Sequence, residues 1–200
     1  MSELLKGLRL HLDQRQLEKL AAATVGIIGA GGLGSNVAMM LARSGLRRFI
    51  IADPDQVEAS NLNRQQYWPE HLGQLKVEAL RDLLLRLDPA LKLTLLPLSI
   101  SQDNFSRLLP CQIIVEAVDS PESKAAIYEN ATASGIFLVS ASGLAGVSGP
   151  SMSKRRLAER AVLVGDFENE QGPGQPAMAP RVTMAAAMQA EAVLEYLLGA

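Results

Sequence analysis

One cysteine in 200 residues has no partner within its own chain. Cys111 therefore excludes an internal disulfide, and with it any structural zinc site built from paired CxxC motifs. It follows Pro110 just before an apolar run, "QIIVEAV", and reads as a partly buried, inert thiol. Aromatic residues make up only 4%, and no apolar run approaches membrane length. The most apolar region, Val25 to Ala42, is broken by five glycines, Ser35 and Asn36. The opening residues "MSELLKGLRLHL" lack the apolar core and cleavage site of a secretory signal, so a cytoplasmic location is expected. Neither sign of charge dominates. Lys and Arg number 19 against 21 Asp and Glu, a net charge of -2, so no basic field exists for nucleic acid or acidic membrane. Neither partner is expected. The two histidines, His11 and His71, read as ordinary surface or loop residues.

What is present is a soluble globular composition, 48% apolar and rich in Ala and Leu, in a length that suits one domain. Leucines at helical spacing predict a helical N-terminal arm over residues 1–21. "TVGIIGAGGLGSNVAMMLARSG" then gives a short strand, a glycine turn and a helix from about Leu33, closed by Gly45. "RRFIIA" is a second strand with Asp53 at its carboxyl end. "KVEALRDLLLRLD" is an amphipathic helix stopped by Pro89. "KLTLLPLS" follows as an edge or irregular strand because of Pro97, and "QIIVEAV" as a buried one. Ser120 and Pro121 open the next helix as N-cap and first residue, Gly135 lies past its end, and "IFLVSA" is another strand. Strands alternating with helices imply the α/β class: a Rossmann-like, doubly wound, mostly parallel sheet with helices on both faces. Residues 142–180 are rich in Gly, Pro and charge around one strand-like island, "AVLVG", and are expected to form a crossover loop. "RVTMAAAMQAEAVLEYLLG" is a closing helix ended by Gly199.

"GAGGLG", Gly29 to Gly34, has the G-x-G-x-x-G spacing between a strand and a helix. Glycines allow the tight turn and let phosphate approach the backbone, while the helix start offers free N–H groups and a positive dipole end. Asp53, about twenty residues on, suits ribose hydroxyls. A nicotinamide oxidoreductase would carry the same fingerprint. The following stretch, "DPDQVEASNLNRQ", is unusually well equipped for hydrogen bonding. Arg64 offers a planar fork for phosphate oxygens, and Lys76 a second cation, which a triphosphate requires beyond the reach of a helix dipole. Asn61 and Gln65 serve either to orient the chain or to bind phosphate. In "VEAVDSPESK", Asp119 ends a buried strand at the sheet's carboxyl edge, where it suits Mg²⁺ or a helix cap, although Ser120 is already available as the cap.

In order and spacing, "GAGGLGSN", "ADPDQVEASNLNRQ", "GQLKVEAL" and "EAVDSPESK" resemble the ThiF/MoeB branch of the ubiquitin-activating enzyme superfamily, over about Val25 to Ser142. "SGLAG" and "MAPRV" with "QAEAVLEYLLG" resemble its short, zinc-free ThiF type. The resemblance implies Mg-ATP-dependent adenylation of the C-terminal glycine of a ubiquitin-like sulfur carrier ending in Gly-Gly. The carrier implied is ThiS of thiamin thiazole synthesis, and the assembly a homodimer. Gly29, Gly31, Gly32, Gly34, Asp53, Asp55, Asn61, Arg64, Gln65 and Lys76 would form the nucleotide site. Asp119 would bind Mg²⁺, and Arg64, Lys76 and Asp119 would be the catalytic residues. In-line attack by an already ionised carboxylate needs positioning and charge neutralisation more than a base. Relatives' zinc cysteines and thioester or persulfide cysteine have no counterpart here. Relatives also supply an arginine across the dimer from the N-terminal arm; Arg9, with Arg15 as second choice, is the candidate. The 142–180 loop would cross the nucleotide and guide the carrier tail. "KRR", residues 154–156, either attracts an acidic carrier or is a solvated charge run, and Arg181 either anchors the last helix or binds the tail. Another carrier, such as that of molybdopterin synthesis, another substrate, or a non-catalytic nucleotide-binding scaffold stands as the alternative.

Overall fold

The computed structural model describes residues 2–169 and 175–199. The β-branched and leucine-rich runs pair into one sheet: β1 (Thr24–Ile28), β2 (Arg48–Ala52), β3 (Lys92–Leu96), β4 (Ile113–Glu116), β5 (Phe137–Ala141), β6 (Ser153–Ala158) and β7 (Ala161–Gly165). Their spatial order is β3-β2-β1-β4-β5-β7-β6, with every neighbouring pair parallel except β6 against β7. The α-helices among the described residues are α1 (Glu3–Leu8), α2 (Gln14–Ala22), α3 (Gly32–Arg43), α4 (Lys76–Leu87), α5 (Pro121–Ala133) and α6 (Ala179–Leu198). None is long and apolar enough to cross a membrane.

The two-residue period of a strand sorts side chains onto opposite faces. Val25, Ile27, Phe49, Ile51, Ile113, Val115, Phe137 and Val139 join a core with residues of α3, α4 and α6. Their neighbours Ile28, Ile50, Ile114 and Leu138 join a second core with α5 and the 3-10 segment Gln102–Leu108. Both faces are covered, as a parallel sheet requires. From β1 the chain winds through β2 to β3, returns to the centre at β4, and winds the other way to β5. The switch point therefore lies between β1 and β4, and the crevice above their carboxyl ends is where ligands bind in sheets of this kind.

Local signals account for most boundaries. β3 is the sheet edge that Pro97 implied. Ser120 caps α5 by accepting the Ser123 N–H at 3.3 Å, with Pro121 as the first helical residue. The N-terminal arm is made of two helices, α1 and α2. Asp13 and Gln16 form a reciprocal capping box, with N–H to side-chain distances of 2.8 and 3.0 Å, and start a new helix there.

Residues 142–180 depart from the expected loop, because 153–165 fold into the antiparallel hairpin β6–β7. "SKRRLA" carries no apolar alternation because almost all of β6 is exposed at the sheet's other edge, so nothing in its pattern announces a strand. Arg155 lies over the Phe167 ring, 3.8 Å from its centroid, just past β7. Residues 170–174 of the expected crossover lie outside the described residues. Past β7, Asp166 is buried and accepts the N–H groups of Glu168 and Asn169, both at 2.9 Å. It also forms an ion pair with buried Arg181 in the first turn of α6. Of the two roles open to Arg181, this contact is the anchoring one.

Burial alone would raise the Asp166 pKa, but the N–H groups of Asn169 and Glu168, the Asn169 amide and Arg181 outweigh it and hold the carboxyl below its ordinary 3.8. A depressed folded pKa stabilises fully above the unfolded value and is lost as pH falls through the folded one. Asp166→Asn leaves Arg181 as an uncompensated buried charge and is expected to cost about 3 kcal/mol in urea unfolding near neutral pH. The gap between the two proteins is expected to close as pH falls below 3.8, the window in which the wild type loses the same interaction.

Candidate functional site

The glycine turn separates into two pairs by what surrounds each residue. Gly29 has φ +94°, and a Cβ there would stand 2.4 Å from the Ala117 carbonyl oxygen. A Cβ on Gly34 would stand 1.8 Å from the Gly29 carbonyl oxygen. These two permit backbones to touch. A Cβ on Gly31 would stand in open space, 3.7 Å from Gln65 Nε2, and one on Gly32 would stand 3.0 Å from Val182 and 3.4 Å from the Arg64 stem. Gly31 is also the N-cap of α3 and carries no side chain to cap it. The positive end of a twelve-residue helix thus opens at the switch point without a capping side chain.

Asp53 sits where β2 ends and is 5% exposed. Its carboxylate accepts the Ala30 N–H at 2.6 Å and the Asp55 N–H at 2.8 Å, tying the glycine turn to its own loop. Burial raises its pKa, opposed by those two N–H groups and by Lys76. Asp55 points outward and holds the buried Lys76 ammonium at 2.7 Å. The Tyr67 hydroxyl lies 2.7 Å from the Ala30 carbonyl and 3.2 Å from that of Lys76, so one ring joins the glycine turn to the start of α4.

The loop that carries "NLNRQ" is built inward. Buried Asn61 accepts the Glu58 N–H at 3.0 Å and donates to Ser60 Oγ at 3.3 Å, so its amide shapes the turn. Arg64 Nη1 donates to the Ser60 carbonyl and to Asn63 Oδ1, both at 2.9 Å, while its stem lies on Gly32. Gln65 Oε1 is buried with no hydrogen-bond partner among the described residues. Asn36, opening the second turn of α3, donates to the carbonyls of Gly32 at 2.6 Å and Arg64 at 3.0 Å, and accepts from Gln66 at 2.6 Å. Ser35 Oγ accepts the Gln66 N–H at 3.2 Å. Ser35, Asn36, Gln66 and Tyr67 are thus structural parts of the site that the motif reading passed over. The only signal for two of them was "SN" following "GAGGLG".

Asp119 stands beyond β4, exposed, without an ion pair or hydrogen bond among the described residues. The contact of Gly29 with Ala117 brings this loop beside the glycine turn. No cluster of three or more His, Cys, Asp or Glu able to hold a metal occurs among the described residues. A lone carboxylate fits Mg²⁺, which keeps waters and takes substrate phosphates as its other ligands. Asn63 donates to the Ala177 carbonyl at 3.2 Å, and Gly146 N–H to the Pro176 carbonyl at 2.8 Å, so the chain entering α6 returns alongside the loop.

Other candidates fall away from the site. Cys111 is buried, and burial pushes its thiol up to about 12, so it is inert. His71 is not a surface residue: it is buried in the loop and accepts the Trp68 N–H at 2.9 Å. Exposed Arg9 ends α1, which packs beside Gly45 and Leu46, past the carboxyl end of α3. One length of α3, about 18 Å, separates that end from Gly31.

The ThiF family's sequence profile matches residues 5–200. The chain belongs to the ThiF family. It is 33% identical over 124 residues to "Ubiquitin-like modifier-activating enzyme 5" of Caenorhabditis elegans, covering 56% of this chain and 30% of the relative. It is 38% identical over 131 residues to "Adenylyltransferase and sulfurtransferase UBA4" of Eremothecium gossypii, covering 63% and 29%. The chain thus spans less than a third of the length of these curated relatives. Two solved structures share the fold. E. coli tRNA N6-threonylcarbamoyladenosine dehydratase, TcdA, in complex with ATP has a TM-score of 0.89 at 21% identity, over 97% of this chain and 93% of that one. E. coli MccB with ATP has a TM-score of 0.71 at 24% identity, over 91% and 58%.

Gly34→Ala of this ThiF-family chain is expected to abolish the native melting transition, because its Cβ would overlap a carbonyl. Gly31→Ala is expected to cost about 1 kcal/mol or less in melting. By calorimetry it is expected to weaken ATP binding by roughly tenfold or more, since a methyl would fill the approach to the helix start.

Proposed function

We propose that this chain uses Mg-ATP to adenylate the C-terminal glycine of a ubiquitin-like sulfur carrier of the ThiS kind, in thiamin thiazole synthesis. The observation that carries the proposal is the convergence at the switch point. An uncapped α3 start at Gly31 meets Arg64 and Gln65 on one side and the unpaired Asp119 loop on the other. Family membership supports the adenylating chemistry, as do relatives named as a ubiquitin-like modifier-activating enzyme and an adenylyltransferase and sulfurtransferase. The choice of ThiS rests on the resemblance to the short family type.

In this chain the N–H groups at the start of α3 would receive phosphate oxygens, and Asp53 would bind the ribose while it steadies the turn. Arg64 would turn its fork from Ser60 and Asn63 to the triphosphate, and Lys76 would leave Asp55 for the same charge. The carrier's carboxylate attacks the α-phosphorus; the new P–O bond forms as the bond to the β-phosphate oxygen breaks, and pyrophosphate leaves. The nucleophile is already ionised, so no side chain has to remove a proton. Asp119 would hold Mg²⁺, which neutralises charge on the departing pyrophosphate when bound. Arg9, too far to serve its own chain, would reach the site of a second copy in a homodimer.

Carrier-dependent exchange of labelled pyrophosphate into ATP is the deciding assay. Exchange is expected with a ThiS-type carrier ending in Gly-Gly, and none once its last glycine is removed. Exchange only with a molybdopterin-type carrier would reassign the substrate, and no exchange with any carrier would refute the proposal. Asp119→Ala is expected to abolish exchange without lowering the melting temperature. Arg64→Ala is expected to raise the apparent KM for ATP by roughly tenfold or more, the loss of one charge-assisted contact. An Arg9→Ala subunit mixed with an Asp119→Ala subunit is expected to regain exchange that each lacks alone.

A further inference from the structure

A polar cluster lies beneath the carboxyl edge, and the chemistry above makes no use of it. Glu116, the last residue of β4, is fully buried. Its two carboxylate oxygens each accept from the Lys124 ammonium at 2.9 Å, and they also accept the Val118 N–H at 2.8 Å and the Ser140 hydroxyl. Lys124, in the first turns of α5, gives its remaining proton to the Ala141 carbonyl at 3.1 Å. An ammonium has three donors and a carboxylate about four acceptor sites, so both groups are fully engaged and neither is available to a substrate. Gln189 of α6 donates to the carbonyls of Glu116 at 2.9 Å and Val139 at 3.3 Å. β4 pairs with β1 as far as Glu116 but with β5 only as far as Val115, so the cluster fills an opening between β4 and β5.

A buried ion pair returns little net stability over an apolar filling. Its place in the chain gives it another use. Asp119 stands three residues after Glu116 and five before Lys124, exposed and without a partner among the described residues. Lys124 is the only Lys or Arg between Arg107 and Lys154. Two carboxylates follow Glu116 on the chain leading to Lys124: Glu122, which already accepts the Ser120 hydroxyl at 2.7 Å, and Asp119, so a lysine released from Glu116 would have Asp119 as the unengaged one.

We propose that Glu116 is a positioning residue: it holds Lys124 in the β4–β5 opening and so leaves Asp119 unpaired for the divalent cation that accompanies the nucleotide. The inference rests on the metal role given to Asp119 above. Glu116→Gln keeps an acceptor for the Val118 N–H and removes the charge that retains Lys124.

The test is Mn²⁺ binding by the full chain with a non-hydrolysable ATP analogue and no carrier, read as free Mn²⁺ by electron paramagnetic resonance. The half-saturating Mn²⁺ is expected to rise roughly tenfold in Glu116→Gln, as a new cation beside the metal ligand implies. In Lys124→Gln it is expected to be no higher than in wild type. In Glu116→Gln/Lys124→Gln it is expected to return to within about twofold of wild type, because the competing charge is gone. Unchanged binding in Glu116→Gln, or equally weakened binding in Lys124→Gln and the double variant, overturns the proposal in favour of a simple brace. Where Glu116→Gln does not fold, Lys124→Gln and the double variant decide alone. Asp119→Ala separates the two levels. If that variant binds Mn²⁺ like wild type, the metal role fails and the inference with it; if it binds weakly while Glu116→Gln does not, only the inference fails.

Discussion

Three backbones meet at Gly29, and the rest of the site depends on that meeting. Its carbonyl occupies the place of a side chain on Gly34, and its own missing side chain leaves room for the Ala117 carbonyl. The first contact sets α3 against the turn, so that the helix starts at the switch point. The second brings the end of β4, and the acid beyond it, to the same place. Asp53 then fixes the turn by the Ala30 N–H, and Tyr67 ties it to α4. Of the groups in these contacts only the Asp53 carboxylate also has a part in the proposed nucleotide binding, yet each contact limits where Arg64, Lys76 and Asp119 can stand.

Charge is distributed with the same economy. Lys76 is held by Asp55, Lys124 by Glu116 and Arg181 by Asp166. The pairs differ in depth, and depth divides their uses. Asp55 is exposed, so water can replace it at Lys76 at small cost, as the proposed role of Lys76 requires. Glu116 and Asp166 are buried, so separating them from their cations would strand a charge. The first is an exchangeable contact and the other two are permanent.

How much of this was legible depended on whether a residue's task is written in local pattern. The alternating strands, the glycine turn, Ser120 with Pro121 and the stop at Pro89 follow from short-range rules, and the sheet they imply is the one observed. The different tasks of Gly29 and Gly34, as against Gly31 and Gly32, were not legible, because identical residues are told apart only by what approaches them in space. The β6–β7 hairpin was missed since an edge strand with almost all of its residues exposed owes nothing to apolar alternation. Asn61 reads as a phosphate ligand or a loop-former on sequence grounds; in the folded chain its amide is engaged within the loop. Glu116 and Lys124 sat in plain view in "VEAVDSPESK", but pairing across a strand end and a helix start needs three dimensions to be seen.

The antiparallel β6 has a consequence for how the molecule lives among its copies. A parallel sheet that ended on β7 would offer an unsatisfied row of amides and carbonyls to any passing chain. β6 is an edge too, but Arg155 and Arg156, beside a Lys154 that pairs with Glu195, put positive charge along it and leave a rim that discourages pairing with an identical rim. Neutralising those positions would remove that repulsion while leaving the switch point, three strands in from this edge, untouched.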